Sequence, residues 1–250
     1  MKTAFITGAT AGIGKATAEI FAKNGYNVII TGRRKDRLDK LSKDLQEKYK
    51  VKILSLCFDV RKRSEVEKSI NSLEKDWKKI DVLVNNAGLA MGLSTIQEGN
   101  IDDWEIMIDT NIKGLLYMTR TVAPIMIANG SGHIINIGSI AGKETYPNGN
   151  VYCATKHAVD SLSKAMRIDM LPHGIKVTAI HPGMVETEFS LVRYKGDQER
   201  AKKVYASFKP LIAEDIAETI FWSASRPNHV NISDLIITPV AQANATIVKR

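Results

Sequence analysis

The chain has 250 residues, 44% apolar and 25% charged, the balance of an ordinary soluble domain with room for a sizeable core. No apolar run is long enough to span a bilayer, and the N-terminus enters a strand without a basic-apolar leader, so neither a membrane span nor a secretory signal is expected. The net charge of +8 raises the question of nucleic-acid binding, but the basic residues are mixed with Asp and Glu along amphipathic helices; a lysine-rich solvated surface is the better reading.

Lys2 to Thr7 reads as a short apolar strand. Gly8-Ala9-Thr10-Ala11-Gly12-Ile13-Gly14 follows, then a helix stopped at Gly25. Strand, glycine loop and helix are the context of a dinucleotide site, because glycines let backbone approach a pyrophosphate at a helix N-terminus. Taken alone, the loop also fits a plain strand-to-helix turn. Asn27 to Thr31 is the second strand, and Gly32-Arg33-Arg34 stands at its end. An acidic residue there would take the 2′-hydroxyl of NAD; two guanidinium groups suit a phosphate, so NADP is expected.

Lys35 to Tyr49 reads as a helix with Leu38, Leu41, Leu45 and Tyr49 inward. Val51 to Phe58 is a third strand, ending at Asp59-Val60, a position that faces an adenine. Ser64-x-x-Glu67 is a predicted capping box for the next helix, with Val66, Ile70, Leu73 and Trp77 inward. Ile80 to Val84 is the fourth strand, followed by Asn85-Asn86-Ala87-Gly88. Cys57 and Cys153 lie in a predicted strand and a predicted helix, and are expected to be free thiols in a reducing cytosol rather than a disulfide or metal pair.

Trp104 to about Ala128 reads as one long helix with a polar Asn111 inside it. His133 to Ile137 is the fifth strand, with Ser139 just beyond. The next helix carries Tyr152 and Lys156, four residues apart and so on one face. A phenol has a pKa of about 10 and is a poor base at neutral pH unless a fixed cation favours the phenolate. Tyr152, Lys156 and the Ser139 hydroxyl together read as a proton-transfer site for an alcohol/carbonyl pair. Ile175 to Ile180 is strand six, leading to His181-Pro182-Gly183. Residues 184–212 have no clean period and read as a mobile substrate lid. Ala213 to Ser225 is helical, and Leu235 to Thr238 makes a last strand. The alternation predicts a doubly wound parallel sheet with helices on both faces and sites at the carboxyl ends of its strands.

The ordered set Thr7-Gly8-x-x-x-Gly12-x-Gly14, Asn85-Asn86-Ala87-Gly88, Asn111, Ser139, Tyr152-x-x-x-Lys156 and Pro182-Gly183 resembles the short-chain dehydrogenase/reductase family over nearly the whole chain. The resemblance implies a Rossmann fold, hydride transfer with NAD(P), and a homotetramer or dimer, of which the homotetramer is expected; length and cysteine usage predict a single domain over residues 1–250, cytoplasmic and with no metal. It assigns Tyr152 as catalytic acid/base, Lys156 as the group that lowers its pKa, Ser139 as the holder of the substrate oxygen, and Asn111 as support for a water relay. It places the cofactor against Gly8, Thr10, Gly12, Ile13, Gly14, Arg33, Arg34, Asp59, Val60, Asn86, Ala87, Gly88, Tyr152, Lys156, Pro182, Gly183, Val185 and Thr187.

A narrower likeness lies in Gly183 to Gly196, Asn228 to Asn231 and the Pro239-containing tail. These are similar to NADP-dependent 3-hydroxy acid dehydrogenases, also described as serine or allo-threonine dehydrogenases. That implies small 3-hydroxy acids such as serine, allo-threonine or 3-hydroxyisobutyrate, or malonic semialdehyde in reverse, with Arg193 or Lys195 facing the carboxylate. One departure is Ala11, where some NADP-preferring relatives have Lys or Arg before Gly12. Three other readings stay open here: a reductase of a 3-oxoacyl thioester, sugar or xenobiotic ketone; a non-catalytic NADPH sensor; and a basic nucleic-acid-binding protein.

Overall fold

The structure is a computed structural model that describes residues 1–249. Its centre is a seven-stranded, wholly parallel sheet: β1 (Thr3–Thr7), β2 (Asn27–Gly32), β3 (Ile53–Cys57), β4 (Val82–Asn85), β5 (His133–Ile137), β6 (Lys176–Pro182) and, last in the chain, β9 (Asp234–Ile237). Their order in the sheet is β3-β2-β1-β4-β5-β6-β9. The strands are nearly all apolar because both sheet faces are covered, so inward alternation is replaced by burial on either side.

The period of two decides which face each residue serves. Ala4, Ile6, Val28 and Ile30 meet α1 (Gly12–Lys23), α2 (Lys35–Tyr49) and α9 (Ala213–Ala224) through Ala18, Phe21, Leu38, Leu45, Ile216 and Ile220. Phe5, Ile29, Leu83 and Ile134 point the other way. There they meet α3 (Arg63–Asn71), α5 (Leu115–Ala128) and α6 (Asn150–Met170) through Val66, Ile70, Met118, Val122, Met126, Val159 and Met166. Two dry layers thus clamp the sheet and leave the carboxyl strand ends open as a crevice, where the strand order reverses between β1 and β4.

Several predicted boundaries move. The capping box does not form. Helix α3 starts at Arg63 without a side-chain cap, and Glu65 instead accepts from the Asp59 amide at 3.0 Å. Trp77 falls outside α3, in a short 3₁₀ turn over Lys75–Lys78. The long predicted helix exists but is interrupted: α4 (Ile101–Ile108) passes through a π-helical turn, Asp109–Gly114, into α5. Residues 184–212 are built from pieces too short to show a period. They comprise β7 (Val185–Glu186), α7 (Phe189–Arg193), α8 (Gln198–Val204) and β8 (Leu211–Ile212), with β7 and β8 paired in parallel. Cys57 is exposed and Cys153 buried, and both are free thiols. Among the described residues, no helix is long and apolar enough to cross a membrane.

Candidate active site

A cavity of about 540 Å³ opens at the carboxyl ends of the central strands. All the site residues expected from the sequence line it except Asn111, which is buried in the turn Asp109–Gly114, and Lys195.

At one end is the glycine loop between β1 and α1. Gly8 and Gly12 have φ of +68° and +50°, a conformation that side chains rarely adopt. A Cβ at Gly14 would collide with the Gly8 carbonyl. The loop therefore packs closely on the start of α1, and its residues from Thr10 to Gly14 line the cavity. Thr7 ties β1 to β4: its Oγ1 accepts from the amides of Asn86 and Ala87 at 3.0 and 2.9 Å. Asn86 returns a bond from Nδ2 to the Thr7 carbonyl at 2.8 Å. Backbone with this exposure and curvature fits a dinucleotide pyrophosphate.

Beside the loop, Arg34 donates through Nε and Nη2 to Thr10 Oγ1 at 3.1 and 2.8 Å, and through Nη1 to Glu188 at 2.9 Å. Arg37 donates to the other Glu188 oxygen at 2.7 Å. Arg33 lines the same wall. Arg37 escaped the sequence reading because its partner is 151 residues away; its place three residues after Arg34, in the first turn of α2, was the available signal. Asp59 and Val60 line the adjoining wall. Burial pushes the Asp59 carboxyl up, but hydrogen bonds and charge from Arg61 outweigh it and hold it below the ordinary range.

The deep end holds the reactive groups. Lys156 is buried on α6, and its Nζ donates to the Ile137 carbonyl at 2.9 Å. Burial lowers its pKa to about 8, so it is mostly charged at pH 7. A Cβ at Gly88 would sit 3.4 Å from Nζ and 3.3 Å from Asn111 Oδ1, so three predicted residues converge there. Asn111 is spoken for: Oδ1 accepts from the Leu89 amide at 2.9 Å, and Nδ2 donates to the Leu89 carbonyl at 2.8 Å and to Thr155 Oγ1 at 3.0 Å. The π turn aims it across at Leu89 and Thr155.

The phenol of Tyr152 behaves against expectation. Burial pushes its pKa well above the ordinary value, and nearby Tyr146 adds to this; a hydrogen bond from Ser139 and the charge of Arg193 pull the other way. Lys156 does not set the protonation of the chain taken alone, because desolvation dominates. Ser139 begins a 3₁₀ turn over Ile140–Gly142, and its Oγ accepts from the Ala141 amide at 3.1 Å.

The 184–212 segment closes the outer side. The Arg193 guanidinium lies 5.4 Å from the Tyr152 ring centre and 5.5 Å from that of Tyr146, and donates to the Tyr146 hydroxyl at 2.9 Å. Lys195 points elsewhere, to Asp103 at 2.9 Å, and does not line the cavity. Pro182, Gly183, Val185 and Thr187 pass along the cavity edge. Gln242 accepts from the Met184 amide at 2.8 Å and also lines the cavity, a contribution from the tail that no motif announced.

The family described as short chain dehydrogenase matches residues 2–197. An NADP-dependent 3-hydroxy acid dehydrogenase, YdfG, of Salmonella typhi is 49% identical over 241 residues, 96% of each chain. Sulfoacetaldehyde reductase 2 of Chromohalobacter salexigens is 44% identical over 239 residues, 95% of this chain and 94% of that one. Among solved structures, the closed form of a serine dehydrogenase complexed with NADP⁺ superposes with a TM-score of 0.93 at 45% identity, covering 99% of both chains.

Proposed function

This chain belongs to the short chain dehydrogenase family, and we propose that within it the chain is an NADP-dependent oxidoreductase of small 3-hydroxy acids. The observation that carries the substrate class is Arg193, a guanidinium in the same cavity as the Tyr152 phenol and against its ring. The names of two relatives agree in chemistry. A 3-hydroxy acid and sulfoacetaldehyde each have one carbon between the anionic group and the reacting carbon. An anion held by Arg193 then leaves the reacting oxygen within reach of Tyr152 and Ser139.

The residues present fit a dinucleotide phosphate. The glycine loop offers its amides, and Arg33, Arg34 and Arg37 offer cations for a 2′-phosphate. Bound there, NADP supplies the hydride acceptor or donor. The protein's part is the proton. With its pKa raised, Tyr152 is a phenol at neutral pH and donates to the oxygen of a carbonyl undergoing reduction. Ser139 shares that oxygen. In the oxidation direction Tyr152 must first be a phenolate, so alkaline conditions favour it; the Lys156 ammonium is a buried cation on the same helix. We read residues 184–212 as the lid over the substrate, and a homotetramer as the assembly.

The test is NADPH formation at alkaline pH with serine, allo-threonine and 3-hydroxyisobutyrate, repeated with NAD. Turnover is expected with NADP. Tyr152→Phe should abolish it while cofactor binding persists, and Arg193→Ala should raise KM for the acids by about tenfold or more, with KM for NADP little changed. Oxidation of NADPH by neutral carbonyls but no turnover of any acid would overturn the substrate class.

A further inference from the structure

His181, near the end of β6, is fully buried and lies outside the cavity wall. Its Nδ1 is 3.2 Å from the Ser139 carbonyl, which also accepts from the Gly142 amide at 2.8 Å. The Gly138 amide donates to the Ile180 carbonyl at 2.7 Å, and a Cβ at Gly138 would collide with the His181 ring. The end of β6 thus grips residues 138 and 139 from behind.

The other ring nitrogen, Nε2, makes no hydrogen bond. It faces Asp234 Oδ1 at 3.2 Å and Asp160 Oδ1 at 3.6 Å. Between those carboxylates lies Lys143, whose Nζ bonds Asp160 at 2.7 Å and also Asp234; Lys164 takes the second Asp160 oxygen at 2.8 Å. The cluster joins the Ser139 turn through Lys143, helix α6 through Asp160, one turn beyond Lys156, and the sheet edge through Asp234. Asp160, His181 and Asp234 are close enough to hold a metal ion, but the ammonium of Lys143 already stands between the two carboxylates and serves as the cation.

Two carboxylates and two ammoniums balance without a charge on the ring. Burial and the Lys143 charge both hold His181 below its ordinary pKa, so it is neutral and has a single N–H. The Ser139 carbonyl can only accept, and its contact with Nδ1 has hydrogen-bond geometry while those of Nε2 with the carboxylates do not, so the proton belongs on Nδ1. We propose that His181 is a positioning residue for Ser139: its Nδ1–H holds the serine carbonyl, and the Lys143–Asp160–Asp234 cluster packs behind the ring. This rests on the reading of Ser139 as the group that holds the substrate oxygen.

Amide side chains separate this role from packing. Asparagine places a donor near the position of Nδ1, whereas glutamine reaches toward that of Nε2. His181→Asn should keep kcat within about threefold of the parent, while His181→Gln and His181→Phe should lose about 10- to 100-fold in kcat with KM for NADP unchanged. In a Ser139→Ala background the His181→Phe penalty should vanish, because the residue acts through Ser139. Equal kcat for the Asn and Gln variants, or an undiminished penalty in the Ser139→Ala background, overturns the proposal. Loss of activity in Ser139→Ala with none in His181→Phe sinks this inference alone. Full activity in Ser139→Ala sinks the reading of Ser139 and this inference with it. If the site rejects phenylalanine, the contrast between Asn and Gln, with thermal midpoints measured alongside, decides.

Discussion

Lys156 meets opposed demands. The proposed mechanism asks for its ammonium beside Tyr152, yet it is buried with one carbonyl partner and its pKa has fallen from 10.5 to about 8. A base whose folded pKa lies below its unfolded value destabilises the fold while charged. The penalty is complete below pH 8 and fades as pH rises toward 10.5. Lys156→Met should therefore stabilise the chain at pH 7, by about 1–3 kcal/mol, while abolishing turnover. Denaturant unfolding with a parallel assay checks both; a lower midpoint in the variant would contradict the argument. The placement of Tyr152 and Lys156 on one helix was legible, since spacing alone puts them on one face. The direction of the tyrosine's shift was not, because it comes from the closure of Tyr146, Phe189 and Arg193 over the ring, and no local pattern encodes that desolvation. Asn111 was legible as an oddity in a helix, but its partners across the crevice were not.

At the scale of elements, the 184–212 segment is fastened at both ends of the cavity. Arg193 and Gly92 exchange backbone and side-chain bonds at one end, and Glu188 bridges Arg34 and Arg37 at the other. Helices of five and seven residues and strands of two show no period in sequence, so only the segment's extent could be read. The Glu188 bridge has a measurable consequence. Replacing Arg34 and Arg37 together by alanine should weaken NADP by about 100-fold while NAD changes far less. Glu188→Gln removes a competing carboxylate from the same cations and should tighten NADP by about two- to fivefold, with NAD unchanged. Fluorescence titration of each reduced cofactor distinguishes the outcomes; an equal loss for both in the arginine variant would show that these cations do not read the phosphate.

Across the whole molecule, the parallel sheet and the crevice at its switch point follow from alternating strand and helix patterns, and both were legible. The acid response follows from a residue that sequence alone leaves silent. His133 is buried in β5 with Nε2 against Thr178 Oγ1 at 2.7 Å, and burial lowers its pKa from 6.5 to about 3. The unfolded chain takes up this proton near pH 6.5 and the folded chain does not, so stability is full above 6.5 and is lost as pH falls toward 3. His133→Gln should lose less stability over that interval than the parent, as followed by chemical unfolding at stepped pH. The position of β1 reaches further, into the order of assembly. Thr3 pairs with Asn27, but Ala4 must wait for Val82 to cover its other side. The strand that carries the glycine loop is therefore synthesised well before its second neighbour and stays half-paired until residues 82–84 dock, with a bare parallel edge open to wrong partners. A refolding chain becomes able to hold a dinucleotide only after that long-range closure, so its competence to bind arrives late even though its binding motif comes first.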